Sequence, residues 1–138
     1  MKYLPALAGA LLGLVFIASG VVVLFNVVTM PAPPAGTPLA SFMDAFGPTG
    51  YMKFVKVCEI LGGLLVAIPR TRNWGLLILG PILVNILAFH VFVGGGEGLK
   101  DPVLIVLCLL AAYLLWVGRA GFLGLLGQPR SPSATPAS

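Results

Sequence analysis

The chain has 138 residues, 59% of them hydrophobic and only 9% charged, and a formal net charge of +4. That length is one domain's worth, and a charged fraction near a third of the ~25% usual in soluble domains excludes an ordinary soluble protein of this size. The basic residues are scattered, which excludes a nucleic-acid-binding surface, and two cysteines inside apolar runs make neither a disulfide framework nor a metal motif.

Four apolar runs predict an all-α integral membrane protein, a four-helix transmembrane bundle with spans at about 4–28, 51–68, 74–93 and 102–119. Crossing hydrocarbon takes about 20 helical residues, with 17 to 25 usual. The first and third runs meet that outright. The second meets it only if its charged start lies at the interface, and the fourth only if it continues past Val117. Residues 1–127 form the transmembrane domain, and the Pro/Ser-rich tail, 128–138, has nothing to bury and is expected to be disordered.

The first run begins after Lys2 and contains the small residues Ala18, Ser19 and Gly20, as a cleaved signal peptide would. It continues far beyond the 7 to 15 apolar residues of a signal, so it is read as a span. The loop that follows opens with "MPAPPAG" and then predicts a short helix, capped by Thr37 with Pro38 at its first position. Leu39, Phe42, Met43 and Phe46 fall on one face, the pattern of an interfacial helix and a possible lid built from Phe42, Met43 and Phe46.

The second run starts "KFVKVCEILGG" and carries Lys53, Lys56 and Glu59 where lipid is expected. Pro69 closes it, and "RTRN" is a tight turn with Asn73 as the expected cap of the third helix. Pro81 falls inside that helix and is expected to kink it. Gly94 to Gly96 end it, and Asp101 followed by Pro102 caps the fourth.

Lys2, Arg70, Arg72, Arg119 and Arg130 fall on one side of a four-span arrangement, and Lys53, Lys56, Lys100 and the four acids on the other. Basic residues favour the cytoplasm, so both termini are expected there. On a helical wheel Lys56, Glu59 and Gly63 share a face. Glu59 then lies roughly 13 Å below the outer end of its helix, too deep for its short side chain to snorkel.

An ionised group at mid-membrane costs at least about 2.5 to 3.5 kcal/mol, so Glu59 must pair or take up a proton. Lys56, Asn85 and His90 lie within reach of that depth, and Asn26 lies near the outer end of the first helix. Glu59, Lys56, Asn85 and His90 form the expected ligand or proton site, with a structural ion pair between Lys56 and Glu59 as the alternative. Asn85 and His90 are five residues apart, about 140° on an ideal helix, so they converge only if the winding changes. Cys58 lies on roughly the opposite side of its helix from the charges, so neither it nor Cys108 is expected to matter for redox chemistry. No nucleotide-binding, zinc-protease or haem-attachment motif is present, and no metal or catalytic residue is expected.

"NVVTMPAPP", "TGYMKFVKVCEILGGLL" and "GPILVNILAFHVF" resemble the DoxX-like family of small bacterial four-helix membrane proteins. The resemblance covers roughly Leu4 to Arg119, and Glu59, Asn85 and His90 match recurrent polar positions of that family. It implies a bacterial inner-membrane protein of redox or quinone-linked metabolism, an accessory subunit more than a catalyst, able to oligomerise or to join a redox enzyme. A quinone is the ligand it implies. A proton-coupled transporter using Glu59 and a purely structural subunit remain open beside it.

Overall fold

The computed structural model describes residues 2–127; the Pro/Ser tail lies outside them. Five α-helices follow one another: α1 (Leu4–Leu24), α2 (Pro38–Phe46), α3 (Tyr51–Ala67), α4 (Arg72–Phe92) and α5 (Pro102–Leu126). Short 3-10 turns, Gly47–Thr49 and Glu97–Lys100, precede α3 and α5, and no strand occurs among the described residues. The four long helices close a ring in which α1 packs on α3, α3 on α4, α4 on α5 and α5 on α1. One end of this bundle carries α2 and the 93–101 connection. The other carries the first residues of α1, the tight turn between α3 and α4, and the last turns of α5.

Several helix ends carry recognisable stop and start chemistry. Pro5 and Pro102 sit in the first turns of α1 and α5, where a missing N–H costs nothing. Thr37 accepts from the Ala40 N–H at 3.2 Å and Asp101 from the Val103 N–H at 2.8 Å, so two of the three expected caps are present. At the end of α1 the Asn26 N–H reaches Val23 O and the Val27 N–H reaches Val22 O, with Asn26 at φ 50°. That pairing is a Schellman closure, for which asparagine substitutes for glycine. Asn26 is exposed and serves this turn rather than a pocket.

The first helix stops at Leu24, short of Val28, and the last runs on to Leu126, beyond the expected end at 119. Asn73 does not cap α4. Thr71 holds that position, and the Asn73 amide packs instead where Gly118 and Gly121 leave room on α5. Helix α4 continues through Pro81.

Three helices, α1, α4 and α5, are long and apolar enough to cross a membrane. At 1.5 Å per residue, 21 residues reach about 31 Å, the thickness of the hydrocarbon core. Helix α3 has 17 residues and carries three charges, so by the same measure it falls short. The bundle is apolar outside as well as in: Leu7, Leu14, Phe54, Val84, Leu109 and Trp116 all point outward. A soluble protein does not cover itself with such residues. Lipid does the solvating here, and the chain is a helical membrane protein.

In lipid, burial of apolar surface between helices brings no gain over contact with acyl chains, so close packing has to hold them together. Glycines supply it. A Cβ on Gly13 would overlap the Gly63 carbonyl, and one on Gly63 would lie 2.9 Å from the Gly13 carbonyl. On the other flank of α3, a Cβ on Gly75 would overlap its backbone at Val66. Around these crossings Leu12, Phe16, Val66, Leu79, Leu107 and Leu114 fill the centre. Gly9 leaves space for Arg72, whose Nε and Nη2 are buried over α1 with no hydrogen-bond partner among the described residues.

Candidate functional site

Two of the three charges of α3, Lys56 and Glu59, turn inward at the α2 end, while Lys53 is exposed. Glu59 is 2% exposed, the one buried charged side chain among the described residues, and Lys56 is 15% exposed. Helical spacing of three brings them together: Lys56 Nζ donates to both Glu59 Oε1 and Oε2 at 2.9 Å. Lys56 Nζ also donates to Ser19 Oγ at 3.2 Å, and the Ser19 hydroxyl donates to Glu59 Oε2 at 3.4 Å. Ser19 arrives from α1 because Gly20 lets that helix lie against Ile60 and the Lys56 carbonyl.

The triangle is closed. Lys56 Nζ lies within hydrogen-bond distance of both carboxylate oxygens and of the Ser19 hydroxyl, which in turn reaches Glu59 Oε2. This arrangement disfavours a serine–lysine nucleophile, because such chemistry needs a lysine free to receive the hydroxyl proton. What the network does is hold a carboxylate away from water with a neutralising partner and a full set of donors. Removing one member of a buried pair costs about 3 to 5 kcal/mol.

Two cavities meet at this network. The first, about 270 Å³, lies between α1, α3, α4 and the start of α5, and its polar lining is Ser19, Lys56, Glu59, His90 and Asp101. The second, about 180 Å³, lies under α2 and is walled by Phe42, Tyr51 and Phe89, with Asn85, Lys56 and Glu59 as its polar groups. Lys56, Glu59 and Ile86 line both. The large groove near Trp116 and Arg119 at the opposite end is almost wholly apolar and gathers no comparable polar set.

Of the four expected site residues, Lys56 and Glu59 form the ion pair and Asn85 and His90 flank it, but not in one space. His90 faces the first cavity and Asn85 the second, as their angular separation on α4 requires. His90 packs its ring against Gly98, where a Cβ would overlap it, and its imidazole has no hydrogen-bond partner among the described residues. Of the lid residues, Phe42 meets Phe89 edge-on at 5.1 Å and lines the second cavity. Phe46 makes tilted ring contacts with Phe42 and Tyr51 without lining it, and Met43 is exposed.

Ser19 and Asp101 are the residues sequence reasoning left out of the site. Ser19 is the one hydroxyl between Leu4 and Val28, which was a usable signal. Asp101 gave none beyond its capping role. Cys58 and Cys108 are free thiols, and neither lines either cavity. No three potential metal ligands converge among the described residues.

The fold and the buried polar network define a small helical membrane protein with an internal charged site. Over 78 residues it is 37% identical to the uncharacterized protein YwoB of Bacillus subtilis (strain 168), a match that takes in 56% of this chain and 49% of that protein. The chain thus matches about half the length of that relative. No family model matches the chain, and no solved structure does.

Proposed function

We propose that this is a DoxX-like membrane protein that binds a small quinone-like molecule in the outer half of its bundle, as an accessory component of redox metabolism in the bacterial inner membrane. In this reading the chain crosses the bilayer four times with both termini in the cytoplasm. Helix α3 joins the spans despite its length because Lys53 is exposed near its start, where it can snorkel, while Lys56 and Glu59 neutralise each other. Helix α2 lies at the outer interface with Phe42 over the second cavity.

The observation that carries the proposal is the position of the Lys56–Glu59 pair as the shared wall of two cavities. A pair needed only to fix helix register has no reason to border open space on both sides. Cavities of about 270 and 180 Å³ lie below the roughly 300 to 1,000 Å³ of drug-sized sites, and suit a single ring better than a large molecule. His90, with no partner of its own, is the group placed to bond a ring oxygen, while Glu59 sits close enough to exchange a proton through its network. The lipid tail of such a ligand would leave between helices into the bilayer.

Native mass spectrometry of the detergent-purified protein, with lipid extraction, tests this. A quinone-class molecule retained by the wild type and lost from Glu59→Gln is the expected result. Its absence from both would remove the proposal. A transporter of cations needs a carboxylate open to its substrate, whereas both Glu59 oxygens already hold Lys56. Flux across proteoliposomes driven by a proton gradient would restore that reading.

A further inference from the structure

We infer that the protein pairs in the membrane as a parallel dimer through the outward face of α4, with Asn85 bonded to Asn85 of the partner subunit at the same depth.

At 1.5 Å per residue, Asn85 lies about 20 Å from the Arg72 end of α4 and about 10 Å from the Phe92 end. Helix α4 is long and apolar enough to cross a membrane, so this depth is within hydrocarbon. The asparagine side chain is too short to reach either interface. Yet Asn85 is exposed, and so are Leu77, Pro81 and Val84 on the same side of the helix. Its amide takes part in none of the side-chain hydrogen bonds among the described residues. An amide left without a partner in lipid is costly.

A second copy of the same amide answers that need. Each brings two N–H donors and a carbonyl with two lone pairs. Two chains related by a twofold axis along the membrane normal exchange a closed pair of N–H to carbonyl bonds, with both copies inserted the same way. The apolar residues around Asn85 fit such a contact. Leu77, Pro81, Val84 and Ala88 recur at intervals of four, three and four, the spacing of a seam between two helices. Asn85 stands at the edge of that seam, four residues after Pro81 and three before Ala88. Apolar contact between helices gains nothing over contact with lipid, so the amide decides where the copies meet. Asn85 also lines the cavity under α2, which puts the partner copy along that cavity's edge.

The test uses the full-length protein with Cys58 and Cys108 replaced by alanine, reconstituted in liposomes at falling protein-to-lipid ratios. Single-molecule photobleaching counts the copies per particle. Oxidation of Val84→Cys traps copies in contact, and Leu109→Cys, exposed on α5, is the control position. Dimers are expected, cross-linked at 84 and not at 109. Asn85→Leu should weaken pairing at least tenfold, about 1.4 kcal/mol, while Asn85→Gln, which keeps the amide, should pair more tightly than Asn85→Leu. Because Asn85 bonds nothing within its own chain, circular dichroism should show Asn85→Leu folded as the wild type is.

Monomers at every ratio overturn the inference, since cavity water or a bound molecule then serves the amide. Dimers that Asn85→Leu leaves equally tight, or that are trapped at 109 and not at 84, overturn it as well. None of these measurements needs a ligand, so each outcome leaves the reading of the cavities untouched.

Discussion

Ser19 and Lys56 stand 37 positions apart in the chain and are joined by a hydrogen bond of 3.2 Å. That bond ties α1 to the charged face of α3 through an ammonium that also holds both oxygens of Glu59. A carboxylate that is costly in lipid is thereby given a counter-charge, a hydroxyl donor and shelter from solvent at once.

The pair should behave differently when removed whole and when halved. Lys56→Met and Glu59→Gln each leave one buried group without its partner and should each lower stability by about 3 to 5 kcal/mol. The double variant should recover most of that, since apolar replacement of a whole pair is often neutral, yet retain no ligand. Thermal melting in detergent and ligand retention decide it. A double variant that is stable and fully functional would show the charges to be scaffolding.

Glycine packing gives a prediction independent of function. Gly13→Ala puts a methyl group into the Gly63 backbone, which cannot yield as a side chain would, and overpacking of this kind costs about 1 to 3 kcal/mol. Gly80→Ala, in the same kind of helix, meets nothing within 4 Å and should be neutral or up to about 1 kcal/mol stabilising. Equal melting temperatures for the two variants would contradict the crossing of α1 and α3 described here.

Phe42 is the one lid residue that reaches a cavity. Phe42→Ala deletes the edge-on contact with Phe89, about 0.5 to 1.5 kcal/mol of aromatic interaction, without touching the bundle core. Stability should change little, while release of a bound ring ligand should speed up several-fold in stopped-flow displacement. Unchanged release would leave α2 as an interfacial anchor only.

The thiols should be dispensable. Neither Cys58 nor Cys108 borders a cavity, so replacing both with alanine should leave ligand affinity within about twofold. Lost binding in a folded double variant would bring back a dithiol mechanism.

Orientation is open to direct labelling. With both native cysteines removed, Ala35→Cys should react with an impermeant thiol reagent on intact cells and Ser133→Cys should react only after lysis. The reverse pattern would invert the topology, because it would put five basic residues outside.

The amino-acid sequence by itself determined which segments are helical, two of their caps and that lipid surrounds them. Those properties are local: Thr37 and Asp101 bond donors two or three residues away, and apolar run length alone measures whether a helix spans. It also marked Glu59 as a residue in need of a partner and supplied Lys56 one turn earlier. Tertiary structure alone decided the rest. Ser19 completes the ion pair because glycine packing sets the depth at which α1 crosses α3, a relation no single helix contains. Asn85 and His90 fall into separate cavities, in keeping with positions about 140° apart on a helix that continues past Pro81. Asp101 joins His90 because the connection after α4 folds back over Gly98, where the absence of a side chain leaves room for the imidazole.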